Sequence, residues 1–308
     1  MAETTIEPTL ASLSDRLRVL HRQTRETPLF NPVFQLSLDI SRKLENGELD
    51  IGQLAGLVDE LEAQSLDARA SRLKKLLRPD RAGERLTQLS APKGDFEAFR
   101  AFWERPHMHA VFTAHPTFLL SPQQSDAVAA AVGNGGKATV RDGERPEITL
   151  RYEHGRAMAA MANAQDARDK LIATVLRQAG EAFPDRWTEL QPLPFRFATW
   201  VGYDMDGRTD IKWYTSIAFR LAEKAERLGR YAASLEAIDP SHELIATLRS
   251  AQEQAQASAD EFAGDLSAPE DMSAAANRLT QDHPDKLLSL APIIERLEGE
   301  ADEQGVDT

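Results

Sequence analysis

The residues best suited to chemistry in this chain fall in two short segments. The first is VFTAHPTF, residues 111–118. At its centre is His115, the side-chain type whose ordinary pKa lies nearest neutrality. Pro116 holds His115 to an extended backbone, so the ring is aimed over a narrow range of directions. Thr117 adds a hydroxyl, and a helix opening near Pro122 adds free amide groups. A histidine beside a helix N-terminus can exchange protons while facing an anion. The same residues also fit a strand-end histidine hydrogen-bonded to backbone. The second segment is FRFATWVGYDMDGRTD, residues 195–210. Asp204 and Asp206 place two carboxylates close together, Gly207 permits a sharp turn, and Arg208 offers a fork for a carboxylate or phosphate. The plainer reading is a strand-to-helix turn in which Asp206 binds its own backbone and Asp210 caps the helix that follows.

Both segments need strands to deliver them and helices to hold those strands. Ala110–Thr113 is short, apolar and β-prone, which predicts a buried strand ending at Pro116. Phe195–Val201 alternates, with Phe195, Phe197, Thr199 and Val201 on one face, which predicts a second strand. The rest reads as helix. Leu10, Leu13, Leu17 and Leu20 share a helical face. Pro28 interrupts, Asn31 and Pro32 open a second helix, and Asn46-Gly47 closes it. Asp50 with Gln53 forms a capping box for a helix to about Gln64, and Ser65 starts another that ends before Pro79. Asp95 caps a helix carrying Phe96, Phe99 and Phe102, with Trp103 read as core.

Ser121, Pro122 and Gln124 open a helix to about Val132. The glycine-rich stretch after it, residues 133–146, reads as an exposed, mobile loop. A long helix covers roughly residues 148–179, and another begins at Asp210 with Ile217, Leu221, Leu228, Tyr231, Leu235 and Ile238 facing inward. Residues 251–263 are mostly Ala, Gln, Ser and Glu, which predicts a solvated helix or connector. The expected organisation is one region: helical over 1–106, strand-loop-helix units over 107–240, a helical extension over 241–298 and a disordered tail over 299–308. The fold class is mostly α with a few parallel strands. Each strand runs into a loop and a helix, the unit of a parallel α/β sheet or barrel, but two strands complete neither.

Composition narrows the function. The 308 residues are 42% hydrophobic and 28% charged, ordinary for a globular protein. Cysteine is absent, which excludes disulfides, thiolate metal sites and cysteine nucleophiles and fits a reducing cytoplasm. A net charge of -13 argues against a nucleic-acid surface, though not against one small anion in a local basic pocket. There is no apolar run long enough for a membrane span and no secretory signal.

Taken together, TAHPT and the later W-x-G-x-D-x-D-G turn (Trp200, Gly202, Asp204, Asp206, Gly207) resemble the N-terminal region of the phosphoenolpyruvate carboxylase family. The resemblance is close over residues 108–120 and 192–235 and loose elsewhere. It implies a helix-rich α/β barrel of the TIM type, of which this chain would form an incomplete N-terminal part, and a homo-oligomer or an association with a C-terminal partner segment. It implies carboxylation of phosphoenolpyruvate by bicarbonate to oxaloacetate and phosphate, a carbon–carbon lyase reaction. His115 would be the proton-transfer residue, with Thr117, Asp204, Asp206 and Arg208 shaping the site. The divalent metal, usually magnesium, would take its ligands from outside these residues. The chain departs from the family pattern: Phe118, Leu119 and Leu120 stand where acidic, glutamine or arginine residues are usual, Tyr203 replaces a glycine, Met205 replaces an arginine, and ITLRYEHGR, residues 148–156, stands where a tryptophan-threonine-acidic-arginine segment is usual. These mark a divergent member, either a piece of a longer enzyme or a relict that binds partner subunits.

Other patterns are weaker. GNGGKAT, residues 133–139, lacks the first glycine and the final hydroxyl of a phosphate-binding loop and follows a helix. Asp204, Asp206, Gly207 and Asp210 approximate a calcium loop whose first and twelfth positions are Gly202 and Trp213. His107, His109 and His115 define the third reading, a histidine-metal hydrolase, but the pair is expected before its strand, at the wrong end for catalysis.

Overall fold

The computed structural model describes residues 9–24, 31–92, 94–113, 120–138 and 147–304. Among the described residues the chain is mostly helical, with two parallel strands. In chain order the helices are α1 (Leu10–Thr24), α2 (Pro32–Glu45), α3 (Ile51–Leu77), α4 (Ala82–Ser90), α5 (Phe96–Trp103), α6 (Pro122–Asn134), α7 (Leu150–Ala182), α8 (Trp213–Ile238), α9 (Leu244–Glu261), α10 (Pro269–Thr280) and α11 (Ala291–Gln304). Strand β1 (Met108–Phe112) lies between α5 and α6, and β2 (Phe195–Thr199) between α7 and α8. The chain divides into two compact units, residues 1–85 with 119–146, and residues 86–118 with 147–308.

In the first unit the helix starts are set locally. Asn31 Oδ1 accepts the Phe34 N–H at 3.0 Å with Pro32 in the first turn, and Asn46 and Gly47 close α2. Asp50 and Gln53 make both arms of a capping box, at 2.7 and 2.9 Å. Ser121 and Gln124 do the same for α6. Ser65 does not start a new helix. Its hydroxyl donates to the Leu61 carbonyl at 2.8 Å, and α3 continues unbroken for 27 residues. Burial decides this: Ala63, Leu66 and Ala70 form one buried stripe, of which Leu66 and Ala70 pack against Val128 and Ala131 of α6, so a break at Ser65 would divide the buried face. α3 ends at Arg78, whose φ of 46° turns the chain into the short helical turn Pro79–Arg81. The stretch after α6 begins tied down rather than exposed, because Ala138 is fully buried and its N–H donates to Asp67 Oδ1 at 3.3 Å. Asp50→Ala should lower the stability of this unit by about 1 kcal/mol, measured as a shift in urea midpoint, because the Gln53 amide loses its acceptor.

In the second unit Asp95 caps α5, and Phe99 and Trp103 pack on Leu171, Val175 and Ala179 of α7. The Trp103 carbonyl accepts the Leu193 N–H, and the Pro194 carbonyl accepts the His107 N–H, both at 2.8 Å. These two bonds fix the entry of both strands, which pair in parallel from Met108↔Phe195 to Phe112↔Thr199. β1 starts earlier than predicted and is not buried; Val111 is 48% exposed. His109 therefore lies within the strand, opposite Arg196, rather than before it. β2 turns Phe195, Phe197 and Thr199 inward, while Val201 is buried in the turn beyond it. Two paired strands make a two-stranded sheet.

Four helical expectations are corrected. α8 begins at Trp213 after Lys212, not at Asp210, whose carboxylate is held by Arg208. α9 is not a solvated connector. Leu244, Leu248, Ala251, Ala255 and Ala259 are buried, several of them against Ala225, Leu228 and Ala232 of α8. Its small residues let the helix backbones approach closely, so a face poor in large side chains still packs. Tyr231 and Ile238, expected inward on α8, are exposed. The tail expected to be disordered from Gly299 is helical through Gln304. Among the described residues no helix is long and apolar enough to cross a membrane.

Candidate functional site

Thr199 ends β2 by donating its hydroxyl to the Phe112 carbonyl at 2.8 Å, so the C-terminal ends of the two strands are joined side by side. Directly afterwards the chain turns on itself: the Trp200 carbonyl accepts from the Tyr203 and Asp204 amides at 2.9 and 3.1 Å. Gly202 makes this turn possible. Its φ is +90°, and a Cβ there would lie 2.4 Å from the Phe219 ring. Ser216 from the first turn of α8 donates to the Gly202 carbonyl at 2.7 Å. Asp204 Oδ1 accepts the Asp206 N–H at 3.1 Å, so the local backbone bond is made by Asp204 rather than by Asp206. Gly207, with φ of 68°, completes the loop.

The start of α7 holds this turn at both ends through adjacent residues. Glu153 accepts from Arg208 Nη2 at 3.1 Å. The Arg208 fork also donates to both oxygens of Asp210, at 2.8 and 2.7 Å, so its Nε–Nη2 edge is occupied by the chain's own carboxylate. The hydrogen bonds from Arg208 keep Asp210 below the usual carboxylate range. His154 serves the other end. Its ring is buried, lies flat on Phe219 with centroids 3.9 Å apart, and meets Glu223 Oε1 through Nε2 at 3.0 Å. The Tyr203 hydroxyl donates to the same oxygen, and Arg220 contacts Glu223 Oε2 at 3.3 Å while lying over the Tyr203 ring.

Glu223 is the hub of this network. Burial pushes its pKa up, but hydrogen bonds from His154 and Tyr203 and the charge of Arg220 outweigh burial and hold it below its ordinary value. As a carboxylate it only accepts, which puts a proton on His154 Nε2. Burial, then the Glu223 hydrogen bond and charge, raise the Tyr203 phenol above its usual range. The arrangement fixes the orientation of the turn and leaves Asp204, Asp206 and Trp200 facing solvent.

Of the residues expected to form the site, Asp204, Asp206 and Arg208 share one loop, whereas His115 and Thr117 lie outside the described residues. His107 is not placed as a ligand; its Nε2 meets the Phe102 carbonyl at 2.7 Å. Among the described residues no three His, Asp or Glu side chains converge as a metal-holding group. Sequence reading missed His154 and Glu223. One signal was present: His154 occupies the same helical face as Ala157, Met161 and Gln165, a titratable residue on a buried stripe. No protein-family model, curated protein or solved structure matches this chain.

Proposed function

We propose that this chain carries the proton-transfer portion of a phosphoenolpyruvate carboxylase-type site, the N-terminal part of an α/β barrel, and acts with a metal-bearing segment it does not contain. One observation supports the reading above others. β1 and β2 pair in parallel and in register, with Thr199 bonded to Phe112, so the strands that precede the two segments richest in chemical residues end side by side. That end of a parallel strand pair is where α/β folds gather reacting groups. His115 follows β1 closely in sequence. A group of its ordinary pKa suits proton exchange beside carboxyphosphate oxygens near neutral pH. Asp204 and Asp206 would border the substrate, and Arg208, held by Asp210 and Glu153, would stiffen the loop rather than clamp a phosphate.

Magnesium, which this reaction class requires, would polarise the phosphoryl group and the enolate oxygen. The described residues do not fit it: Asp204 is engaged by a backbone amide, and no convergent donor set accompanies it. Its ligands would come from the partner segment. A second reading, a non-catalytic relict that binds partner subunits, draws on the exposed apolar side chains of α8 and α11.

The test uses Trp200, which is 52% exposed on the turn. Phosphoenolpyruvate is expected to change tryptophan emission saturably, and Trp200→Phe should abolish that signal. Labelled bicarbonate should remain unfixed by this chain alone. Oxaloacetate formed by the isolated chain would refute the division of labour, and emission indifferent to millimolar phosphoenolpyruvate would refute the site.

A further inference from the structure

The chain is acidic as a whole, with a net charge of -13, yet the last three turns of α3 are the reverse. Arg69, Arg72, Lys75 and Arg78 follow one another at every third residue, and all four are exposed. Successive members stand about 5–6 Å apart on a helix. The row runs about 14 Å along the axis, on the side away from the buried Leu66 and Ala70. Among the described residues none of the four side chains is held in an ion pair or hydrogen bond. Elsewhere helical arginines are answered one turn away: Arg81 by Glu84, Arg177 by Glu181 and Arg296 by Glu300. Here the only carboxylate from Ala63 to Pro79 is Asp67, and it accepts the Ala138 amide instead.

Helix stability does not account for the row. The dipole of α3 favours cations only in its last turn, so Lys74 and Lys75 gain from it and Arg69 and Arg72 do not. Like charges one turn apart oppose each other. Arg78 adds a second cost: it is the one non-glycine with positive φ among the described residues, at 46°, in a helix-end position where glycine carries no penalty. An unpaired cationic row that strains the end of its own helix is explained by an anionic partner. Leu76, 73% exposed and one turn after Arg72, gives that partner an apolar contact within the row. From Ile51 to Asp95 there is no aromatic residue. Single-stranded nucleic acid needs aromatic stacking platforms, and helices that lie in a membrane interface bring Trp or Phe. The acidic remainder of the chain also repels a phosphate backbone or an anionic bilayer more than it repels one short acidic segment.

We propose that this outer face of α3 docks an acidic amphipathic helix of another protein, whose carboxylates meet Arg69, Arg72, Lys75 and Arg78 and whose apolar residue covers Leu76. Carboxylates three or four residues apart on such a helix repeat at the same 5–6 Å as the cations, so the two rows match in pitch. Complementary charge at an exposed rim gives fast, salt-sensitive and modest binding, as in regulatory contacts. The inference is independent of the chemistry proposed above, because no residue of either strand or of the turn takes part.

Fluorescence anisotropy with the full chain decides it. The probe is a labelled alanine-based helical peptide of about 15 residues with glutamates at every fourth position beside a row of leucines. In about 50 mM salt it should bind with a Kd on the order of 10–100 μM, and about 300 mM salt should weaken binding several-fold. Arg72→Glu combined with Lys75→Glu, both at exposed sites, should weaken binding at least about tenfold without lowering the melting temperature, and should take up the lysine-for-glutamate version of the peptide instead. Arg78→Gly should weaken binding about threefold while raising the melting temperature, since it removes a contact and a strained backbone together. A peptide left unbound at about 1 mM overturns the proposal. So does binding indifferent to the paired reversal or to Arg78→Gly. Tighter binding of oligothymidylate, or of phosphatidylserine vesicles, through the same four residues likewise overturns it, because the partner would then be a nucleic acid or a membrane.

Discussion

Replacing Gly202 by alanine is expected to destabilise the unit that carries the turn by about 3 kcal/mol, combining left-handed backbone strain with overpacking. Both effects act at one atom. The φ of +90° is one that L side chains rarely adopt, and the new Cβ would meet Phe219 at 2.4 and 2.7 Å. Phe219 cannot retreat freely, because His154 is stacked on its ring at 3.9 Å. Any shift would pass to the His154–Glu223 contact and so to Tyr203. Thermal unfolding should show a fall of roughly 6–12 °C for a unit of this size. Gly207→Ala is the control: its φ of 68° is also positive, but no atom lies within 4 Å of the added Cβ, so backbone strain acts alone and the loss should be clearly smaller. Equal losses at the two positions would show that Phe219 does not oppose the substitution.

The second large effect is expected at Glu223. Glu223→Ala leaves the His154 N–H and the Tyr203 hydroxyl without their acceptor in a largely buried setting, at a cost of about 3 kcal/mol. Glu223→Gln keeps the shape and one acceptor oxygen, and should lose about 1 kcal/mol at neutral pH. The pH dependence separates charge from packing. Glu223 titrates below its unfolded value in the folded chain, since the hydrogen bonds and Arg220 outweigh the burial that pushes it up. Its contribution is therefore complete above the ordinary glutamate pKa, about 4.3, and lost as pH falls through the lower folded value. Urea midpoints from pH 7 down to pH 3 should fall less steeply below about pH 4.5 in Glu223→Gln than in the unaltered chain. Parallel curves would mean that the Glu223 charge contributes nothing.

What could be read from sequence was what neighbours in the chain decide among themselves. Asn31, Asp50, Asp95 and Ser121 cap helices where their side chains predicted it, with Pro32 beside Asn31 and Gln53 and Gln124 three positions after Asp50 and Ser121. Both strands were legible from alternation and β-propensity, to within a few residues. Asp210 failed as a cap because Arg208 competes for its carboxylate, and an ion pair with a donor shared by Glu153 cannot be inferred from the turn alone. α9 was misread because the criterion was side-chain size, whereas its burial depends on α8 offering an equally small face. The turn itself was recognised, but its support was not. His154 and Glu223 lie on different helices and meet only once α7 and α8 are placed beside β2, so no local pattern joins them. The site was thus visible as a loop and invisible as a held loop.

The alanine spacing of α9 has a consequence for how this chain can change over time. Ala251, Ala255 and Ala259 recur every fourth residue on the buried side. A surface that excludes bulk by having none to remove can neither gain a methylene without parting from its neighbour nor lose one without becoming glycine and loosening the helix. Variation in α9 should therefore collect on the solvent side, in the Gln and Glu positions, while the inner face stays monotonous. The segment that reads as the least informative in composition is the one with the fewest permissible alternatives.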